Sequence, residues 1–278
     1  MEANILAVWE YDNPSDLALE KAHWLALNQG STLSVLGYSC SQSSPIADDA
    51  LHVLASDVVG NNIKLLESSC IAPDQINPWL LSANASKRYQ LVVKTAAKHN
   101  SDVKDENDWQ LIRQLPHPLL LTMNRKWKTE KFRVLATLDI SDDSEEQLEM
   151  NRGVLSVAKA AQAKLNAELH AAYVIAIPKT LSELAIKESD EVLHKDGDKA
   201  HRALDLVLAD AGIQGAHSHV LAGAVQDEIT SLANKKKYDL VIMGSVGRKG
   251  IKGMLLGNTA EKAIENIRED LLVIKPSY

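Results

Sequence analysis

The stretch DLVIMGSVGRKGIKGMLLGNT, residues 239–259, decides how this chain folds. Residues 240–243 are apolar without alternation, as a strand is when helices cover both faces of a parallel sheet. The loop behind it holds five of the chain's thirteen glycines, and apolar spacing at Ala260, Ala263, Ile264 and Ile267 predicts an amphipathic helix after the loop. A glycine-rich turn lets backbone N–H groups approach an anion without Cβ in the way, and the following helix start adds roughly half a positive charge. Phosphate is the natural guest. Asn258 or Thr259 can cap that helix, with Glu261 reaching back.

Outward from this stretch, short aliphatic segments alternate with helical patterns: FRVLATLD, a long helix, ELHAAYVIA, a helix, HSHVLAG, a helix, DLVIMG, the glycine loop, a helix and LLVIKP. Such alternation predicts parallel strands joined by helical crossovers. In the first long helix Val154, Val157, Ala158, Ala161 and Leu165 form one apolar stripe. The first half repeats the plan more weakly, with NILAVWE against RVLATLD, LVVKTA against LVIMGS, and PLLLTM against DLLVIK. This alignment sets Glu10 opposite Asp139. Between residues 41 and 91 the strand signal is poor, and the third strand of the first half has no assigned place.

The polar, basic run TMNRKWKTEK separates the halves, giving domains of residues 1–126 and 127–278. The expected fold is α/β, two tandem five-stranded parallel sheets of order 3-2-1-4-5 with helices on both faces. In that order the ligand crevice lies at the carboxyl ends of the strands, between the first and fourth. Asp139 ends the first strand of the second half and Gly244 ends the fourth, so both converge there.

Composition excludes several functions. No uninterrupted apolar stretch approaches the roughly 20 residues that cross a bilayer. The opening MEANILAVWEYD lacks the basic start and long apolar core of a secretory signal, so a cytoplasmic address is expected. A net charge of −7 argues against a nucleic-acid surface, which needs clustered Lys and Arg. Cys40 and Cys70 are too few for a disulfide framework and read as reduced.

The run G-S-V-G, nine residues, then G-N-T, between DLVIM and an amphipathic helix with LLVIKP, closely resembles the signature of the universal stress protein family, in its tandem E-type form. The resemblance covers the whole second half and, more faintly, the first. It implies an adenine-nucleotide pocket for ATP, ADP or AMP. Asp139, with Thr137 and Leu138 leading into it, holds the adenosine portion in that reading, and Val174 lines the base. Met243, Gly244, Gly247, Gly257, Asn258 and Thr259 surround ribose and phosphates. Nucleotide-binding members usually place Ser or Thr directly after the third signature glycine, where this chain has Asn258. The corresponding loop of the first half has no glycine, so that half reads as structural or as a site for something else. The family implies a role in survival of starvation, oxidative or DNA-damaging stress.

Each site residue also has a plainer reading. The glycine loop can be a fold-building turn, and Asp139 a strand terminator. His217 and His219 would share a strand face as metal ligands might, but no third ligand is spaced with them, and no metal is expected. Arg248, Lys249 and Lys252 can meet phosphate or water, and Trp109 anchors a helix. No nucleophile elbow, Walker sequence or metal-ligand helix is present, so at most slow incidental ATP hydrolysis is expected. The alternative function is a scaffold for another small or apolar ligand or a protein partner, with the nucleotide loop vestigial. The apolar strands at residues 119–122 and 271–274 are expected to pair the halves as an intramolecular pseudo-dimer, with a further homodimer open.

Overall fold

The structure, a computed structural model, describes residues 4–42, 44–60, 64–83, 89–96, 106–123, 125–177, 185–245 and 266–275. The chain divides into two compact units, residues 1–126 and residues 127–278.

In the first unit the elements run β1 (Asn4–Glu10), α1 (Ala18–Gln29), β2 (Thr32–Tyr38), α2 (Asp48–Val59), β3 (Leu65–Cys70), α3 (Ile76–Ala83), β4 (Leu91–Thr95), α4 (Glu106–Gln114) and β5 (Leu119–Thr122). All strand pairs are parallel and their order is β3-β2-β1-β4-β5. β1 and β2 are buried almost throughout, because α1 and α2 pack on the sheet and leave little strand surface to water. Helix α1 stops at Gly30, whose left-handed backbone turns its N–H back to the Ala26 carbonyl.

The third strand is β3, with sequence LLESSC, and none of its residues is buried: Leu66 and Glu67 are exposed and the others half-buried. Lying outside β2, it has one neighbouring strand and need not be an aliphatic run. Its pairing also slips between Leu33 and Ser34. Cys40 and Cys70 are both free, Cys40 exposed.

In the second unit β6 (Arg133–Thr137), α5 (Glu145–Leu165), β7 (Glu168–Ala176), α6 (Ala185–Asp210), β8 (His217–Gly223), α7 (Val225–Lys236), β9 (Leu240–Gly244) and β10 (Asp270–Ile274) follow in order. Its parallel strands are ordered β8-β7-β6-β9-β10, the same 3-2-1-4-5 plan. The fold is therefore α/β, two tandem five-stranded parallel sheets with helices on both faces. Ser144 caps α5 by accepting the Gln147 N–H at 3.3 Å, and Asn166 ends it in the left-handed region. Its stripe buries Met150, Val154, Ala158, Ala161 and Leu165; Leu155 is buried beside them, while Val157 stays half-buried. No helix among the described residues is long and apolar enough to cross a membrane.

Candidate functional site

Strand β6 pairs with β9 from Val134–Leu240 to Ala136–Ile242, and with β7 on its other side. The order reverses at β6, so the carboxyl ends of β6 and β9 form the switch point at which α/β sheets take ligands. The parallel register brings Asp139 and Gly244 to the same end of adjacent strands.

The segment carrying Asp139 is pinned from α5. Asn151, buried on that helix's apolar stripe, donates from Nδ2 to the Asp139 carbonyl at 2.6 Å and accepts the Asp139 N–H at 3.3 Å. Gln147 donates to the same Asn151 oxygen at 3.0 Å and holds its amide orientation. Asp139 Oδ1 accepts from the Ser141 N–H at 3.0 Å and its hydroxyl at 2.6 Å, an Asx turn that lifts the chain off the strand. Among the described residues Oδ2 takes no hydrogen bond, and Asp139 is exposed. The half-buried Tyr173 stands near; burial and the Asp139 charge push its phenol up, against a lowering hydrogen bond with Ser141.

The other expected site residues divide into groups. Thr137 donates its hydroxyl to the Ile242 carbonyl at 3.2 Å, tying β6 to β9. Leu138 is buried and its N–H goes to the Ala172 carbonyl at 3.0 Å, so both stabilise the crevice floor. Val174 is buried on β7, in register with Leu221, and Met243 is buried on β9, in register with Val273. Gly247, Gly257, Asn258 and Thr259 lie outside the described residues, as do Arg248, Lys249 and Lys252.

Gly244 lies against α5. A Cβ there would run into the side chain of Met150, meeting its Sδ at 2.5 Å. The absent side chain thus makes room for α5 to seat on β9. Next to it, Ser245 is buried, with its N–H and hydroxyl both donating to the Ile274 carbonyl at 3.0 and 3.2 Å.

At the same end of the first unit the polar groups satisfy one another. Asp16 accepts the Glu10 N–H at 2.9 Å, the Ala18 N–H at 2.8 Å and the Thr95 hydroxyl at 2.7 Å. Burial raises its carboxyl above the ordinary range even against those donors. Thr95 also meets the Thr122 hydroxyl at 3.1 Å, and Lys94 forms an ion pair with Asp108 at 2.8 Å. Glu10, the counterpart of Asp139, accepts from Asn13 at 2.6 Å.

Two ionisable residues of β7 escaped sequence reading. His217 does have neighbours of the ligand type: Glu168 and His170 on the adjacent strand, with ligand atoms all within 4.8 Å of one another. The expectation of no third ligand is corrected, because partners across a parallel ladder are close in space and some fifty residues apart in sequence. Trp109 lies on α4, its ring half-buried with the Arg113 guanidinium 5.9 Å from its centroid.

The profile of the universal stress protein family matches residues 133–275. The universal stress protein E homolog of Haemophilus influenzae is 32% identical over 200 residues, which are 69% of this chain and 64% of that protein. Universal stress protein E of Escherichia coli K12 is 30% identical over 196 residues, 68% of this chain and 61% of that protein. The aligned stretch therefore spans less than two thirds of the length of these relatives. A solved structure assigned to the family from Pseudomonas aeruginosa UCBPP-PA14 matches with a TM-score of 0.79 at 23% identity, over 99% of this chain and 94% of that one. A universal stress protein from Archaeoglobus fulgidus DSM 4304 matches with a TM-score of 0.64 at 16% identity, over 99% and 98%. At these identities the likeness concerns the fold.

Proposed function

Because the chain belongs to the universal stress protein family, we propose that it is a cytoplasmic stress-survival protein whose second unit binds an adenine nucleotide and acts as a sensor or switch. The observation that supports this most is the exposed Asp139 at the switch point, its backbone pinned by Asn151 and its Oδ2 without a hydrogen bond among the described residues. A carboxylate so held is suited to accept hydrogen bonds from ribose hydroxyls. The glycine loop that follows β9 would supply N–H donors to the phosphates. Binding is the function in this reading, with catalysis no more than slow incidental hydrolysis.

Calorimetry of the full chain with ATP, ADP and AMP up to millimolar concentration tests it. Binding of at least one nucleotide is expected, weakened at least tenfold by Asp139→Ala, which removes charge-assisted hydrogen bonds to the sugar. Heat signals indistinguishable from buffer for all three nucleotides would end the proposal.

One observation favours the second reading, a scaffold for another ligand with a vestigial loop. Met150 occupies the space that Gly244 leaves open, which gives this glycine a packing reason independent of any phosphate. Native mass spectrometry of protein purified from cells separates the two: an adduct with nucleotide mass supports the first, another small-molecule mass the second. We further propose, from the apolar sequences at 119–122 and 271–274 alone, that the halves associate as a pseudo-dimer; two separated lobes in solution scattering would contradict it.

A further inference from the structure

At the amino ends of β7 and β8, opposite the nucleotide crevice, four ionisable side chains meet. The register sets His170 beside His217 and Ala172 beside His219. Alternate residues of a strand share a face, so Glu168, His170, His217 and His219 point to the same side. We propose that this cluster is a divalent-cation site, with Glu168, His170 and His217 as ligands and zinc as the ion its donor set suits.

The distances carry the assignment. Glu168 Oε1 lies 2.8 Å from His170 Nε2 and 3.9 Å from His217 Nε2. Ligand atoms about 2.0–2.2 Å from a tetrahedral zinc sit roughly 3.3 Å from one another, a value these two separations bracket. Two imidazoles and a carboxylate are a donor set zinc takes with one position left for water.

The surroundings prepare His170 for the task. It is 5% exposed, held by the edge of the fully buried Tyr238 ring at a centroid distance of 4.9 Å. Its Nδ1 lies 2.9 Å from His219 Nε2, and Tyr238 Oη is 3.4 Å from that same nitrogen. In the tautomer that donates Nδ1–H to His219, Nε2 of His170 has its lone pair on the Glu168 side and can ligate. This is how an outer hydrogen bond commonly fixes the tautomer of a ligating histidine. His217, stacked on His170 at 4.7 Å and 27°, is the adjustable ligand. Its side chain is 60% exposed and that of Glu168 is 47% exposed, which opens the site to an ion from solvent.

Arg133 limits the affinity. Its guanidinium is anchored by the Lys236 carbonyl at 2.7 Å and lies over the Tyr238 ring at 4.9 Å. From there Nη2–H reaches His170 Nε2 at 3.2 Å, donating to the lone pair that a zinc would take, and Nε lies 3.5 Å from Glu168 Oε1. A fixed positive charge and a competing donor beside the ion weaken its hold, and a bound zinc is expected to staple the outer strand β8 to β7.

Untagged, chelator-stripped full chain titrated with zinc by calorimetry provides the test. One ion per chain is expected, with Glu168→Gln and His217→Ala each weakening binding at least tenfold. Both side chains face solvent, so the fold should survive, as melting curves without metal will verify. Arg133→Gln should tighten binding several-fold, a change that a purely structural role for these residues would not produce. Cobalt(II) should give the visible bands of a tetrahedral nitrogen-oxygen site, lost in His217→Ala. The proposal is overturned by no binding at about 0.1 mM zinc, or by equal affinity in the Glu168→Gln/His217→Ala double variant, which would put the ion elsewhere. Nucleotide affinity should be the same in these variants, so this site and the nucleotide crevice fail or stand separately.

Discussion

Replacing Gly244 with Ala adds a single methyl group at the point where α5 crosses the end of β9. That methyl would fall 2.5 Å from Met150 Sδ and closer still to its Cγ, against ordinary contacts of 3.4 to 4 Å. Met150 is 2% exposed, so its side chain must be displaced by about an ångström within a filled core. The backbone of Gly244 is outside the left-handed region, which leaves overlap as the whole of the penalty. Overpacking of this size destabilises by about 1–3 kcal/mol, toward the lower end because methionine is flexible. Met150→Ala alone should cost about 2–5 kcal/mol through the cavity it leaves. In the double variant the overlap is gone and the new methyl occupies part of that cavity, so its stability should equal or exceed that of Met150→Ala. The coupling is then about 1–3 kcal/mol in favour of the pair. Urea unfolding followed by circular dichroism reads this as a midpoint drop of about 1 M for Gly244→Ala that vanishes on the Met150→Ala background. Additive effects within about 0.5 kcal/mol would refute the packing explanation for this glycine. Nucleotide titration of the double variant then asks a separate question: unchanged affinity means that Gly244 matters to the helix contact, whereas lost affinity means that its bare backbone also meets the ligand.

Asn151→Ala removes both hydrogen bonds to the Asp139 backbone and should lower stability by about 1–3 kcal/mol; nucleotide affinity should fall too, and full affinity in calorimetry would show that the pin is dispensable. Lys275 is 7% exposed, and burial pulls its amine down to about 8 from 10.5. Between those values the unfolded chain holds a proton that the folded chain has released, so stability should rise with pH through that window, by about 3 kcal/mol in all. Lys275→Met should lose that rise, and identical slopes for the two proteins in urea unfolding from about pH 7.5 to 10.5 would dismiss it. Asp16→Ala strands two N–H groups and the Thr95 hydroxyl in the first unit; a loss of at least about 2 kcal/mol is expected in chemical unfolding, with nucleotide binding by the second unit unchanged.

The central strands were legible because parallel strands covered on both faces must be aliphatic, and β1, β6 and β9 carry that signature outright. β3 was not, since an outer strand with polar residues and an irregular register looks like loop. Asp139 could be picked out as a carboxylate at a strand end, but its support could not. The available signal was Asn151, a polar residue interrupting the apolar stripe of α5 between Met150 and Val154. For Gly244 the sequence shows only that a side chain is missing; whether the space serves a ligand or a neighbouring helix depends on where α5 crosses. Glu168 and His170 read as ordinary strand residues until β8 is laid beside β7, when the alternation E-x-H faces H-x-H.

The two units make the same sheet and use its carboxyl end in opposite ways. Where the second unit has Gly244 at the end of its fourth strand, the aligned residue of the first is Thr95, a β-branched side chain whose hydroxyl bonds Asp16 and Thr122. Asp16 in turn takes the N–H groups of Glu10 and Ala18, so donors that could have met a ligand are already satisfied from within the chain. Among the described residues nothing comparable closes over the exposed Asp139, whose internal bonds fix the backbone and one carboxylate oxygen and leave the other without a hydrogen bond. A buried donor with an internal partner gains little by exchanging it for a ligand, whereas a pinned, exposed acceptor loses little on binding because its position is already set. On this physical ground the proposed nucleotide response is assigned to the second unit, while at the same end of the first unit the polar groups around Asp16 already bond one another.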